Sequence, residues 1–406
     1  MWKPRATSSL SPRWSTTIEG AALPELVNYT PFPNIRYYSK DSDRREFGVI
    51  VVKGTFALSP SGQLMIAEEQ APMVFTDLCH GAVNLTSLWH PSDLVPVKPA
   101  TDVIVNAVAR VPNGRTKRFW ECSIAIESSG TTRVEKALRV TGPRHWQPRW
   151  RRELGNGERA EWQKHRRAFD RWELSEPEPI GELPLHYEYA YGGEIPQGVD
   201  DDGNPVFDTD HRNPLGRGKI DPEWTDHTAG VPAPQIEDPR AAVTDPYAQL
   251  RPESFGPIPP AWLPRRPLGG TYDQNWKDNV WPAWPKDYDT AYHNSAHPDL
   301  IVSPFLRGTE RIVLTGLSAA AETVAFDLPK EVCFVDLVPE DGELEQRFMN
   351  LDTVFLDIAA RNPDDWRILL SWRLNFEPDL YVQARINRAA IGMARNTTLD
   401  QDRSAA

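Results

Sequence analysis

His293 and His297 stand four residues apart in His293-Asn294-Ser295-Ala296-His297, the spacing at which one helix face can offer two imidazoles to zinc. A zincin places Glu directly after its first histidine; this chain has Asn294 there, and the neighbouring prolines work against a helix. The pair therefore reads as structural, with no metal. Asp200-Asp201-Asp202-Gly203-Asn204 starts like a calcium loop, but the positions that need Gly and Glu hold Pro205 and His211. An Asp-Gly turn in an acidic surface loop is the better reading. Gly316-Leu317-Ser318-Ala319-Ala320 lacks the closing glycine of a nucleophile elbow. The chain contains no P-loop, and Gly216-Arg217-Gly218 is too short for a dinucleotide fingerprint. Glu188, Asp273, Asp287 and Asp289 lie near Trp and Tyr, as the paired carboxylates of a glycosidase would. Their plainer role is to accept from backbone donors in loops with few ladder bonds. No catalytic set and no cofactor emerge.

Much of this chemistry falls in Ser254–Asp299, whose 46 residues hold eight prolines, four tryptophans and three tyrosines. Proline removes backbone donors and fixes φ, so regular ladders cannot run through it. Tryptophan and tyrosine carry large apolar areas that are costly to leave in water. The segment reads as a long, ordered, irregular belt pinned by aromatic anchors onto a scaffold built elsewhere.

That scaffold is predicted to be mainly β, with antiparallel sandwich-like lobes, long Pro/Trp-rich loops and one or a few helices. Phe47–Leu58 and Gln63–Ala67 flank Ser59-Pro60-Ser61-Gly62 as a hairpin would. Asp102–Val111 and Lys117–Ile126 flank Asn113-Gly114, a strong hairpin signal, and Ser128-Ser129-Gly130 turns the chain into Arg133–Val140. Further β-prone runs are Arg311–Leu317, Thr323–Leu328, Val332–Val338, Leu344–Leu351, Val354–Ala359 and Trp366–Leu374. The expected division is a flexible arm at 1–22, an N-terminal β lobe at 23–146 and a charged insert at 147–182. The irregular segment follows at 183–300, then a C-terminal β lobe at 301–382 and a loose tail at 383–406. Within the insert, Glu158–Trp172 could form a helix with Trp162, Phe169 and Trp172 on one face. Its arginines and tryptophans read as a docked surface helix rather than a nucleic-acid stripe.

The 406 residues suffice for more than one core, and 38 prolines beside 15 tryptophans favour anchored loops over disorder. A net charge of −12 argues against nucleic acid or an anionic membrane as partner. Cys79, Cys122 and Cys333 are odd in number and far apart, which indicates neither a disulfide framework nor a thiolate zinc site. The N-terminal stretch has no apolar signal region, and no run reaches the ~18 apolar residues of a span. The expected location is the cytoplasm.

Several strings in order carry a resemblance: Val52–Phe56 (VKGTF), Pro96–Val103 (PVKPATDV), Lys136–Val140 (KALRV) and Gly142–Trp146 (GPRHW). Pro184–Gly193 (PLHYEYAYGG), Asn213–Gly218 (NPLGRG), Phe255–Ile258 (FGPI), Trp262–Arg265 (WLPR), Gly270–Asp273 (GTYD) and Asp287–Asp289 (DYD) continue it. Together they resemble a bacterial family first catalogued as a domain of unknown function and associated with type VI secretion clusters. The chain departs from the family's pattern at Ser295–Leu300 and in the length of its Arg144–Glu173 stretch. The resemblance implies a cytoplasmic adaptor or chaperone that binds a secreted effector and promotes its loading onto a VgrG spike, often tipped by a PAAR protein. It carries over no catalytic residue. Residue chemistry then nominates Trp262, Arg265, Arg266, Tyr272, Trp276, Trp281 and Trp284 as protein-binding positions, because aromatic and Arg anchors dominate interfaces. Two other classes stay open: a carbohydrate-binding or carbohydrate-active β protein, and a structural tail or spike component.

Overall fold

The computed structural model describes residues 24–59, 61–151, 169–220 and 230–391. Sixteen strands build its three larger sheets. In chain order they are β1 (Glu25–Asn28), β2 (Asn34–Lys40), β3 (Glu46–Leu58), β4 (Leu64–Ile66), β5 (Thr101–Asn106), β6 (Phe119–Ser128), β7 (Thr131–Thr141) and β8 (Ile236–Glu237). There follow β9 (Ile301–Val302), β10 (Arg311–Thr315), β11 (Thr323–Asp327), β12 (Glu331–Val338), β13 (Glu345–Phe348), β14 (Asn350–Asp357), β15 (Arg367–Phe376) and β16 (Gln383–Ala390). The largest sheet runs β2-β3-β15-β14-β5-β9, with β4 on β3. The second runs β8-β7-β6-β10-β11 and the third β1-β16-β12-β13. Pairing is antiparallel except for β14 beside β5 and β1 beside β16. The fold is mainly β, with none of these sheets closed into a barrel.

Residue pattern explains which strands lie deepest. Every residue of β3 from Gly48 to Phe56 is buried, as is β15 from Ile368 to Leu374. Strands covered on both faces read as near-continuous apolar runs. β6 and β7 instead alternate buried with exposed or half-buried positions, the mark of one wet face. Charges inside the covered strands are paired, Lys53 with Asp93 and Arg373 with Asp352.

Two of the three N-terminal hairpins form as predicted. They are β3–β4 and β6–β7, the latter closed by Ser129 and Gly130, both at positive φ. At Asn113-Gly114 the backbone is also left-handed, with φ of 63° and 66°, but its flanking strands do not pair with each other. β5 joins β14 and β9, Val108–Arg110 joins Glu182–Pro184, and β6 joins β7 and β10. Turn chemistry permits a reversal without choosing the partner, and here it hands the chain between sheets. At the C-terminal end the β-prone runs, for which the sequence named no partners, pair as three hairpins: β10–β11, β12–β13 and β14–β15.

The division into lobes at 23–146 and 301–382 needs correction. β14 and β15 from one end lie between β3 and β5 from the other, and one apolar cluster holds Val52, Ile124, Val302, Cys333 and Trp372. Doubly covered strands require neighbours on both sides, which neither end supplies alone. The tail prediction also fails for Gln383–Ala390. These residues form β16 inside the third sheet, with Ala384 and Ile386 fully buried, while residues 392–406 lie outside the described residues. In the charged insert, Phe169–Leu174 is a strand antiparallel to His145–Trp150, so the helix expected at Glu158–Trp172 does not reach its end. An edge-to-face contact between Phe169 and Trp150, which oppose each other across the two strands, favours that pairing. Residues 152–168, like the arm at 1–22, lie outside the described residues. Among those described, no helix is long and apolar enough to cross a membrane.

Candidate functional site

Ser254–Asp299 crosses the molecule without a strand, through short 3₁₀ turns and one π turn at Trp276–Val280. Its ends are tied together and to the sheets, and its middle projects. Ile258 N–H donates to Ser295 O at 2.7 Å, and Ser254 Oγ donates to Leu185 O at 2.7 Å. The chief anchor is Asp102 on β5, fully buried. Its carboxylate accepts from Lys98 Nζ (2.8 Å), Asn294 Nδ2 (2.9 Å), Ser295 N (2.9 Å), Ser295 Oγ (3.2 Å) and Ala296 N (3.3 Å). Burial opposes the charged form, but Lys98 and these donors outweigh it and hold the carboxyl below its ordinary range.

The nominated residues divide between the two zones. Trp262 and Arg265 are buried, which corrects their assignment to a partner surface. Trp262 meets Tyr187 edge-on at 5.5 Å. Arg265 donates through Nε to Tyr292 O at 3.0 Å and through Nη1 to Ile258 O, satisfying carbonyls that no ladder reaches. Both act as internal staples. Arg266, Tyr272 and Trp281 are exposed, Trp281 by 63%, while Trp276 and Trp284 are half-buried. The outer zone is nevertheless built. Tyr272 packs edge-on against Trp276 at 4.7 Å, and Trp276 Nε1 donates to Ala283 O at 3.0 Å. Trp284 contacts Phe47 and Tyr288. From the β2–β3 loop, Arg44 donates to Asn279 O at 2.8 Å and Asp43 pairs with Lys286 at 2.7 Å.

The carboxylates weighed for glycosidase chemistry all serve the backbone. Asp273 accepts from Trp276 N (2.8 Å), Asp287 from Thr271 N (3.0 Å), Asp289 from Ala291 N (2.8 Å) and Glu188 from Ser87 N (2.8 Å). Asp200 closes its loop by accepting from Asp202 N and Asn204 N between the strands Glu194–Val199 and Pro205–Thr209. His293 ends the 3₁₀ turn Thr290–His293 and His297 caps the next one, Pro298–Leu300, so no single helix carries both. His293 Nε2 lies 2.7 Å from the Tyr288 hydroxyl, and burial, aided by Arg265, lowers its pKa to about 3.

His297 belongs to a cluster that the sequence did not reveal. Glu253, His297 and Asp299 bring their ligand atoms within 4.8 Å of one another, as a metal site would. The ammonium of Lys136 stands among them, bonded to Glu253, 3.2 Å from Asp299 Oδ2 and 3.4 Å from His297 Nε2. It supplies the positive charge that a cation would otherwise bring. Burial first, then Lys136, drives His297 to a pKa of about 3, so the ring is neutral. Arg251 bonds both Glu253 and Asp299. The cluster walls a cleft of about 690 Å³ between β7, the Asp238–Arg240 turn and Arg251. Its members come from three segments far apart in the chain, so spacing offered no signal.

The chain matches the model of a family described as an uncharacterized protein conserved in bacteria (DUF2169) over residues 43–373, and belongs to that family. No curated protein and no solved structure matches it.

Proposed function

We propose that this member of the DUF2169 family is a non-catalytic adaptor that binds a secreted effector and promotes its loading onto a VgrG spike with a PAAR-type tip. The observation that carries the reading is the outer belt. Trp281 and Tyr272 present large aromatic surface to solvent from a frame held by Trp276, Trp284 and the β2–β3 loop. Exposed aromatics on a rigid support are the usual anchors of a protein interface. The ordered family strings supply the type VI context. Carbohydrate chemistry has less support, because the belt carboxylates are engaged with backbone donors.

The test is affinity capture of the full chain from its native bacterium under gentle conditions, followed by mass spectrometry. A VgrG, PAAR or effector protein should be retained, and Tyr272→Ala with Trp281→Ala should reduce retention about tenfold. Since both side chains are exposed, thermal stability should barely change. Recovery of the chain alone, or unchanged retention by a folded double variant, would sink the reading.

A further inference from the structure

Among the described residues, the cleft beside Lys136 runs along an unpaired strand edge. β7 spans eleven residues and pairs along its length with β6, but on its other side β8 pairs only with Arg139 and Val140. After Glu237 the chain turns away through Asp238-Pro239, with Ala241 N–H closing on Asp238 O at 2.9 Å. Proline at that point cannot extend the ladder.

Alternation then says which backbone groups face the open side. Thr141 N–H donates to Gln235 O at 2.8 Å, away from β6. The register of β7 with β6 is unbroken from Val134 to Thr141, so Arg139, Ala137 and Glu135 face the same way. Arg139 meets β8; Ala137 and Glu135 meet the cleft. The Glu135 side chain is exposed and makes no hydrogen bond or ion pair among the described residues, although Lys136, Arg240 and Arg251 around it are all paired with acids. Ala137, next on the same face, leaves room for a larger neighbour.

From this geometry we infer that Val134–Leu138 is a docking edge for an extended, proline-free segment of a partner protein, added as a strand beside β7 with a lysine or arginine opposite Glu135. Main-chain bonds to Glu135 and Ala137 supply affinity without regard to sequence, and the uncompensated carboxylate supplies selectivity. Five residues of edge span about 17 Å. The edge uses neither Tyr272 nor Trp281, so it stands whether or not the adaptor reading does.

Two measurements on the full chain test it. Residue-resolved amide exchange should find Glu135 and Ala137 fast and Lys136 and Leu138 protected; protection throughout would overturn the free edge. Peptides selected on the protein from a random display library should be rich in Lys or Arg, and a selected peptide, synthesised, then serves as the probe. Ala137→Pro removes the outward N–H and should weaken that probe about tenfold, as should N-methylation at alternate peptide residues. Glu135→Lys should turn the selected set toward Asp and Glu, and decides the matter alone should Ala137→Pro not fold. Failure to select any peptide, or a probe held equally by wild type and both variants, would overturn the proposal.

Discussion

Asp102 accepts five hydrogen bonds from four residues, and three of those residues belong to the belt. Replacing it with alanine leaves Lys98 charged in a buried site and orphans the belt donors. Asp102→Ala should cost about 3–5 kcal/mol in equilibrium denaturation. Arg265 and Arg266 adjoin in sequence but not in environment. Arg265→Ala should destabilise by about 2–3 kcal/mol through its lost carbonyl partners, whereas Arg266→Ala should stay within about 0.5 kcal/mol. Histidines set the acid response. Burial depresses His293 and His297 to about 3 and, with His186 beside it, His80 to about 4. Above an unfolded value of about 6.5 these rings are neutral in both states, and their contribution is complete. As pH falls below that, only the unfolded chain takes up the protons, so stability declines toward the folded values. Melting temperature should therefore drop between roughly pH 6.5 and 4, above the range in which Asp299, lowered to about 2, loses its own contribution. His293→Gln should flatten that slope, whatever it does to the melting temperature at neutral pH.

At the scale of elements, β16 is the strand whose removal should matter most for its size. It is the shared neighbour of β1 and β12, and its short, polar string QARINRAA buries Ala384 and Ile386. Truncation before Gln383 leaves two unpaired edges and an uncovered apolar face, and should yield insoluble or unfolded protein. A soluble truncated chain with native near-ultraviolet circular dichroism would refute that placement. The strand was hard to read in advance because its apolar residues are few and small, so its alternation gains meaning only between two partners. β3 and β15 were legible for the opposite reason: long apolar runs admit few alternatives. The belt was legible as a belt, since prolines exclude ladders and aromatics demand burial. Which aromatics turn inward was not, because Trp262 and Trp281 have the same local chemistry and differ only in having Tyr187 or solvent beside them.

Over the whole molecule, strands from the two ends of the chain interleave in one sheet and share one core. Denaturation should accordingly show a single cooperative transition, coincident by fluorescence and circular dichroism. Residues 24–300 expressed alone should not fold, because β3 and β5 would lack β14 and β15 between them; two separated transitions, or a folded fragment, would contradict this. The sequence by itself determined the β class, most local hairpins, the ordered Pro/Trp belt and the backbone-serving role of its loop carboxylates. Each of these follows from φ preference, alternation or donor and acceptor counts over a few residues. Only the tertiary structure decided that the two ends form one unit, that Asn113-Gly114 joins different sheets, and that Lys136, Glu253, His297 and Asp299 meet beside an open strand edge. Those outcomes depend on which distant strands satisfy each other's faces and edges, a condition of the whole packing that no local pattern contains.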